Sequence, residues 1–193
     1  MMDGSYLSNP LVFLIEVIFG TYVLVLMLRF VLQLVHADFY NPVSQFIVRV
    51  TSPVLHPLRR VIPAMAGMDT ASLVAMWLFK SLELGLILLV TGSSASLAGV
   101  VLWALPELVR LAINLFLYAI LIEVILSWVN PGSYNPAVGL VQRITAPLLT
   151  PARRLIPPIG GLDLSPMLVM IGLVLLKMLL IPPLQLLVAT PFR

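Results

Sequence analysis

The stretch NPVSQFIVRVTSPVLHPLRRVIPAMAGMD at residues 41–69 decides the fold, because it returns as NPAVGLVQRITAPLLTPARRLIPPIGGLD at residues 135–163, a shift of 94 without a gap. Asn41-Pro42 recurs as Asn135-Pro136, and Arg49, Thr51, Pro53, Leu55 and Pro57 recur as Arg143, Thr145, Pro147, Leu149 and Pro151. Arg59-Arg60 recurs as Arg153-Arg154, and Ile62-Pro63, Gly67 and Asp69 recur as Ile156-Pro157, Gly161 and Asp163. These are 13 identities over 29 positions, mostly Pro, Arg, Gly, Asp and Asn, in a chain that is 61% hydrophobic and 10% charged. Composition does not produce such matches, so the chain is an internal duplication.

Within each copy, Asn41 and Asn135 are N-cap residues, and Pro42 and Pro136 suit the first helical position, where a missing N–H costs nothing. Val43, Phe46, Ile47 and Val50 follow at i, i+3, i+4 and i+7, and Ala137, Leu140, Val141 and Ile144 repeat the pattern. The spacing predicts an amphipathic helix of three turns that Pro53 stops. At about 16 Å it is too short to span a bilayer, and it lies in the headgroup plane or packs on the other half. The following Pro-x-x-x-Pro-x-Arg-Arg-x-x-Pro is expected to be irregular, and interfacial or shielded by protein, since exposed non-helical backbone is not tolerated in hydrocarbon. Gly67 and Gly161 suit a turn with positive φ. Asp69, and Asp163 with Ser165-Pro166, read as cap signals for the helices that follow.

Outside the repeated segment the chain is overwhelmingly apolar. A soluble domain has about 25% charged residues, and 10% is too few for a watery surface. Disorder needs the opposite composition. No cysteine is present, which excludes disulfides, thiolate-bound metals and thiol nucleophiles. Four stretches reach the roughly 20 apolar residues that a spanning helix needs. They run over about 11–35, 70–90, 107–129 and 166–188, and Pro182-Pro183 is expected to kink or end the last. Residues 97–105 are apolar but short, and read as an interfacial helix or an extension of the third span. Residues 1–10 carry Asp3 and no Lys or Arg, unlike the basic start of a signal peptide, so the first span is expected to be retained.

Each half holds two spans, which makes the repeats parallel rather than inverted. The expected fold is an all-α membrane protein with repeats at 1–96 and 97–193. Each repeat runs as spanning helix, amphipathic interfacial helix, Pro-rich turn and spanning helix. Arg49, Arg59 and Arg60 lie between the first two spans and Arg143, Arg153 and Arg154 between the last two, while residues 91–96 carry no charge. The positive-inside rule places both arginine-bearing segments in the cytoplasm and both termini outside. Two readings of these arginines follow. They anchor to anionic headgroups, at about 1 kcal/mol each, or they dock an unidentified membrane or cytoplasmic protein. A homo-oligomer is left open, and direct nucleic-acid binding is not expected.

Ionisable residues inside spans are costly and mark function by default. Glu16, Arg29, Lys80, Glu83, Arg110, Glu123 and Lys177 are such residues. Under the 94-residue shift, Glu16 maps to Arg110, Arg29 to Glu123 and Glu83 to Lys177, an inversion of charge at each. One expectation is therefore that acids of one half pair with bases of the other across the pseudo-twofold axis. The competing expectations are snorkelling at the span ends, an i,i+3 pair between Lys80 and Glu83, and an ion path. His36 and His56 have no second ligand at metal spacing, and no zincin helix, phosphate-binding glycine loop or nucleophile elbow occurs. No catalytic residue, metal or cofactor is expected.

The sequence resembles the YggT family of bacterial integral membrane proteins. The resemblance rests on Asp38-Phe39-Tyr40-Asn41-Pro42, on the Pro53-to-Pro63 segment with Arg59-Arg60, on Ser127-Trp128, on the Pro147-to-Pro157 segment, and on Gly160-Gly161-Leu162-Asp163-Leu164-Ser165-Pro166. It covers both repeats in the two-repeat form. The resemblance implies an inner-membrane protein whose relatives are linked to osmotic or potassium homeostasis, to division-associated gene neighbourhoods and, in plastids, to nucleoid distribution and cytochrome b maturation. It carries over no catalytic residue. The expected role is a non-enzymatic scaffold or assembly factor presenting Pro-x-Arg-Arg elements at the cytoplasmic face. The alternative is a small channel, transporter or transport accessory using the intramembrane charges.

Overall fold

The computed structural model describes residues 5–65, 67–94, 96–129, 135–156 and 163–188. Gly161 and Pro157 therefore lie outside the described residues. The described chain forms α1 (Ser5–Leu34), α2 (Pro42–Val61), α3 (Thr70–Thr91), α4 (Leu97–Val129), α5 (Pro136–Leu155) and α6 (Ser165–Val188). α1, α3, α4 and α6 are long and apolar enough to cross a membrane. They are apolar all round, with Ile18, Leu89 and Leu179 among the many large side chains left exposed, as lipid-facing helices must be. Residues 97–105 join the third span as the first turns of α4. α6 continues through Pro182 and Pro183 to Val188, so these prolines do not end it.

Each half is a spanning helix, an amphipathic helix and a second spanning helix, packed on one another. Leu26 of α1 and Leu55 of α2 are fully buried in one apolar cluster; their equivalents Ile120 and Leu149 are fully buried in another. α3 and α4 bring the halves together around Leu84, Leu88, Val100, Trp103 and Ala104. Trp77 Nε1 donates to the Val101 carbonyl at 2.8 Å across this seam. α2 and α5 also touch, with Asn41 Nδ2 donating to the Pro136 carbonyl at 2.6 Å.

The amphipathic helices are longer than the proline pattern predicts. Asn41 Oδ1 accepts from Val43 N–H and Asn135 Oδ1 from Ala137 N–H, both at 2.9 Å, and each helix then runs 20 residues through two internal prolines. Pro53 and Pro57 are four residues apart, as are Pro147 and Pro151, so in each helix both rings share one side, and that side is exposed. The bonds they remove are on the outer side, and the inner side keeps its ladder.

The buried face also differs from the expected stripe. Ser44, Ile47, Thr51 and Leu55 face inward in α2, and Leu140, Ile144, Thr145, Leu149 and Ala152 in α5. Ile47, Leu140 and Ile144 of the expected stripe do face inward, while Val43 and Phe46 are exposed. With 100° per residue, α2 has three sectors: a packed one, a polar one with Gln45, Arg49, His56 and Arg60, and an apolar exposed one with Val43, Phe46, Pro53, Pro57 and Val61. After α2, Gly67 takes a φ of +77° in the turn between Met65 and Met68, as its position predicts.

Candidate functional site

The repeated polar residues converge where α1 meets α2 and where α4 meets α5. In the first half Arg29 is buried in α1, and its Nη1 donates to the Val48 carbonyl (3.0 Å), Thr51 Oγ1 (2.5 Å) and Ser52 Oγ (3.2 Å) of α2. In the second half, Thr145 Oγ1 of α5 donates to Glu123 Oε2 of α4. Arg29 and Glu123 are repeat equivalents, as are Thr51 and Thr145, so each span is tied to the amphipathic helix of its own half by the same position.

A second repeated link joins each amphipathic helix to the span after it. Arg59 bonds Asp69 through Nε (3.4 Å) and Nη2, and Arg153 Nε donates to Asp163 Oδ2 at 2.7 Å. Arg153 Nη2 also reaches Glu123 Oε1 at 3.2 Å. Burial by itself pushes the Asp69 carboxyl up, but donation from Arg59 and Ser72 outweighs it and holds the group below the usual carboxylate range. Asp163 behaves alike, burial opposing and Arg153 and Ser165 prevailing. Burial pulls Arg153 down, yet Asp163 and Glu123 together hold it above the ordinary arginine value. Asp69 thus occupies the N-cap position of α3 without capping it through its side chain, and serves Arg59 and Ser72 Oγ (2.5 Å). Asp163 accepts from Ser165 N–H at 2.9 Å.

The expected pairs between halves do not form among the described residues. Lys80 Nζ binds Glu83 Oε1 at 2.6 Å within α3, as the i,i+3 spacing allows. Arg110 pairs with Glu107 at 3.5 Å within α4. Lys177 Nζ donates to Asn114 Oδ1 of α4 at 2.8 Å, and Glu16 is exposed on α1. Each of these partners comes from the same helix or from a neighbouring helix of the same half. The sequence shows Thr51 and Asp69 recurring but offers Arg29 and Lys177 partners across the axis, Glu123 and Glu83, rather than Thr51 and Asn114, and offers none for Arg59. The signal was available: Arg59 with Asp69 and Arg153 with Asp163 recur together at a fixed separation of ten residues.

The remaining arginines face outward. Arg60 and Arg154 are exposed at the ends of α2 and α5, and Arg60 contacts His56 at 3.3 Å. Arg49 and Arg143 are exposed on the polar sectors. A cavity of about 670 Å3 opens beside Arg29, Arg49 and Arg59. Its repeat equivalent, of about 1230 Å3, lies beside Glu123, Arg143 and Arg153 and extends to Asp38 and Asn135. No group of three or more potential metal ligands occurs among the described residues.

Four apolar spans in two identically oriented halves, each bolted to an amphipathic helix by repeated Thr and Arg–Asp contacts, define a multi-pass helical membrane protein built by duplication. The chain belongs to the CCB3/YggT family, whose model matches it twice, at residues 8–90 and 102–184. The two matches are offset by the same 94 residues as the sequence repeat. An uncharacterized protein of Pseudomonas aeruginosa is 44% identical over 177 residues, covering 91% of this chain and 90% of the relative. An uncharacterized protein of Vibrio alginolyticus is 41% identical, covering 86% and 90%. The uncharacterized Escherichia coli protein YggT is 38% identical, covering 88% of each. No solved structure matches.

Proposed function

We propose that the chain is a non-catalytic scaffold or assembly factor of the bacterial inner membrane. It presents Arg60 and Arg154, with Arg49 and Arg143, at the cytoplasmic face to anionic headgroups and to a protein partner. The observation that carries this reading is the division of labour within each double arginine. All four are exposed, but Arg59 and Arg153 are held by Asp69 and Asp163, while Arg60 and Arg154 pair with no carboxylate among the described residues. Such an arrangement positions one guanidinium rigidly and leaves the next for a ligand. Six arginines in the two long connections against none at residues 91–96 support cytoplasmic placement and external termini. The intramembrane charges that a transporter or channel would use, Lys80, Glu83, Lys177, Arg29 and Glu123, are engaged with neighbours inside their own halves, which favours the scaffold.

The test is the Arg60→Gln/Arg154→Gln double variant, with photo-crosslinkers placed at Val61 and Leu155. Loss of wild-type crosslinks with unchanged ion permeability of proteoliposomes is expected. Ion flux that depends on Lys80, Glu83 and Lys177 would overturn the reading in favour of transport.

A further inference from the structure

We infer that the first-half cavity is a binding site for one phosphoryl anion, and that the second half lacks it. The cavity is lined by Arg29, Arg49, Arg59, Gln33, Gln45 and Phe39, with Val48 on its wall. Three guanidinium groups face a single nearby carboxylate, Asp69. At the equivalent place in the second half, Arg143 and Arg153 are balanced by Glu123 and Asp163. The difference in charge comes from one position, where Arg29 stands against Glu123, and the donor amides of Gln33 and Gln45 give way to Ser127 and Gly139.

Arg29 is 7% exposed, so its charge is largely removed from water. Its Nη1 serves α2, and its other guanidinium nitrogens make no hydrogen bond among the described residues. Its free donors open on the cavity, and Asp69, the nearby acid, is already taken by Arg59, so an anion entering the cavity meets a cation with unused donors and little competing negative charge. Guanidinium forks match phosphate oxygens in pairs, and the amides of Gln33 and Gln45 supply further donors. In the second half the Glu123 carboxylate occupies this role from within the chain, taking both Thr145 and Arg153. The first half keeps Arg49 and Arg59 at this place, has a base where the internal anion stands, and adds two amide donors.

Two chemical sources share this group: a phospholipid headgroup and a soluble phosphate. The apolar Phe39 and Val48, and the exposed apolar sector of α2, place the cavity at headgroup depth. The inference rests on α2 lying at the membrane surface and deepens the headgroup side of the proposed function. It does not need Arg60 or Arg154, neither of which lines the cavity.

The experiment uses the full chain in detergent, with thermal unfolding and native mass spectrometry in the presence of dioleoylphosphatidylglycerol or of inorganic phosphate. One saturable ligand per chain is expected, with stabilisation. Arg49→Gln and Gln33→Glu, which leave the Arg29 bonds to α2 intact, are each expected to weaken binding about tenfold, and Gln142→Glu, on the wall of the second-half cavity, to leave it unchanged. Response to the lipid alone identifies a headgroup; an equal response to inorganic phosphate identifies a soluble ester. Absence of saturable binding to either probe, or an equal loss from Gln142→Glu, would overturn the assignment. Crosslinking through Arg60 and Arg154 would stand or fall separately.

Discussion

Thr51 and Thr145 occupy the same place in the two halves, and one hydroxyl accepts a hydrogen bond from a cation while the other donates to an anion. Thr51 Oγ1 accepts from Arg29 and donates to the Ile47 carbonyl at 2.7 Å; Thr145 Oγ1 donates to Glu123. A hydroxyl has one proton and two lone pairs and can do either. This explains how a duplicated position tolerates inverted charge without a partner from the other half.

Removing either hydroxyl is therefore expected to have the same consequence. Thr51→Val and Thr145→Val should each destabilise the protein by about 1–3 kcal/mol, the cost of leaving a buried polar group short of a partner. Adding Arg29→Leu to Thr51→Val should recover most of the loss, because no buried charge then remains. Unfolding in mixed micelles measures all three.

Charge reversal distinguishes pairing inside a half from pairing across the axis. Glu123→Lys should destabilise by losing Thr145 and facing Arg153. A further Arg29→Glu change should not rescue it, since Arg29 and Glu123 serve different amphipathic helices. The two effects should add within about 0.5 kcal/mol; coupling larger than that would place the two charges in contact.

Acid should loosen both halves. Asp69 and Asp163 have folded-state values below the ordinary one, so their contribution is complete above the unfolded value of about 3.9 and is lost as pH falls through the folded value. Thermal stability of the wild type is expected to drop below about pH 4. Asp69→Asn should lower stability at neutral pH and flatten that drop. A wild-type profile that is level from neutral to acid would refute the role of these carboxylates.

The two apolar faces of α2 make separable predictions. Leu55 is fully buried, so Leu55→Ala should cost about 2–5 kcal/mol. Phe46 is 62% exposed, so Phe46→Ala should leave folding stability nearly unchanged and reduce partition of an α2 peptide into lipid vesicles.

Much of this was legible in the residues. The spans follow from the length of apolar runs, and their parallel arrangement follows from an even number per repeat. Asn41 and Asn135 were readable as caps because side-chain chemistry acts over two or three residues. Pro53 and Pro57 mislead because proline signals a helix stop, whereas two prolines on one exposed side leave the opposite side of a helix bonded. The choice of Ser44 and Thr51 over Val43 and Phe46 as the inward face was hidden as well. In a membrane, exposed apolar residues are stable against lipid, so hydrophobicity no longer tells inside from outside. The partners of Arg29 and Glu123 depend on how α1 and α4 lean on the amphipathic helices, which no local pattern encodes.

The central claim is that both halves point the same way, with their double arginines on one side of the membrane. The chain has no cysteine, so Val61→Cys and Leu155→Cys, both at exposed equivalent positions beside Arg60 and Arg154, each provide a unique label. A membrane-impermeant maleimide should modify both in inverted inner-membrane vesicles and neither in intact spheroplasts. Labelling of one position from each side would contradict the parallel repeat.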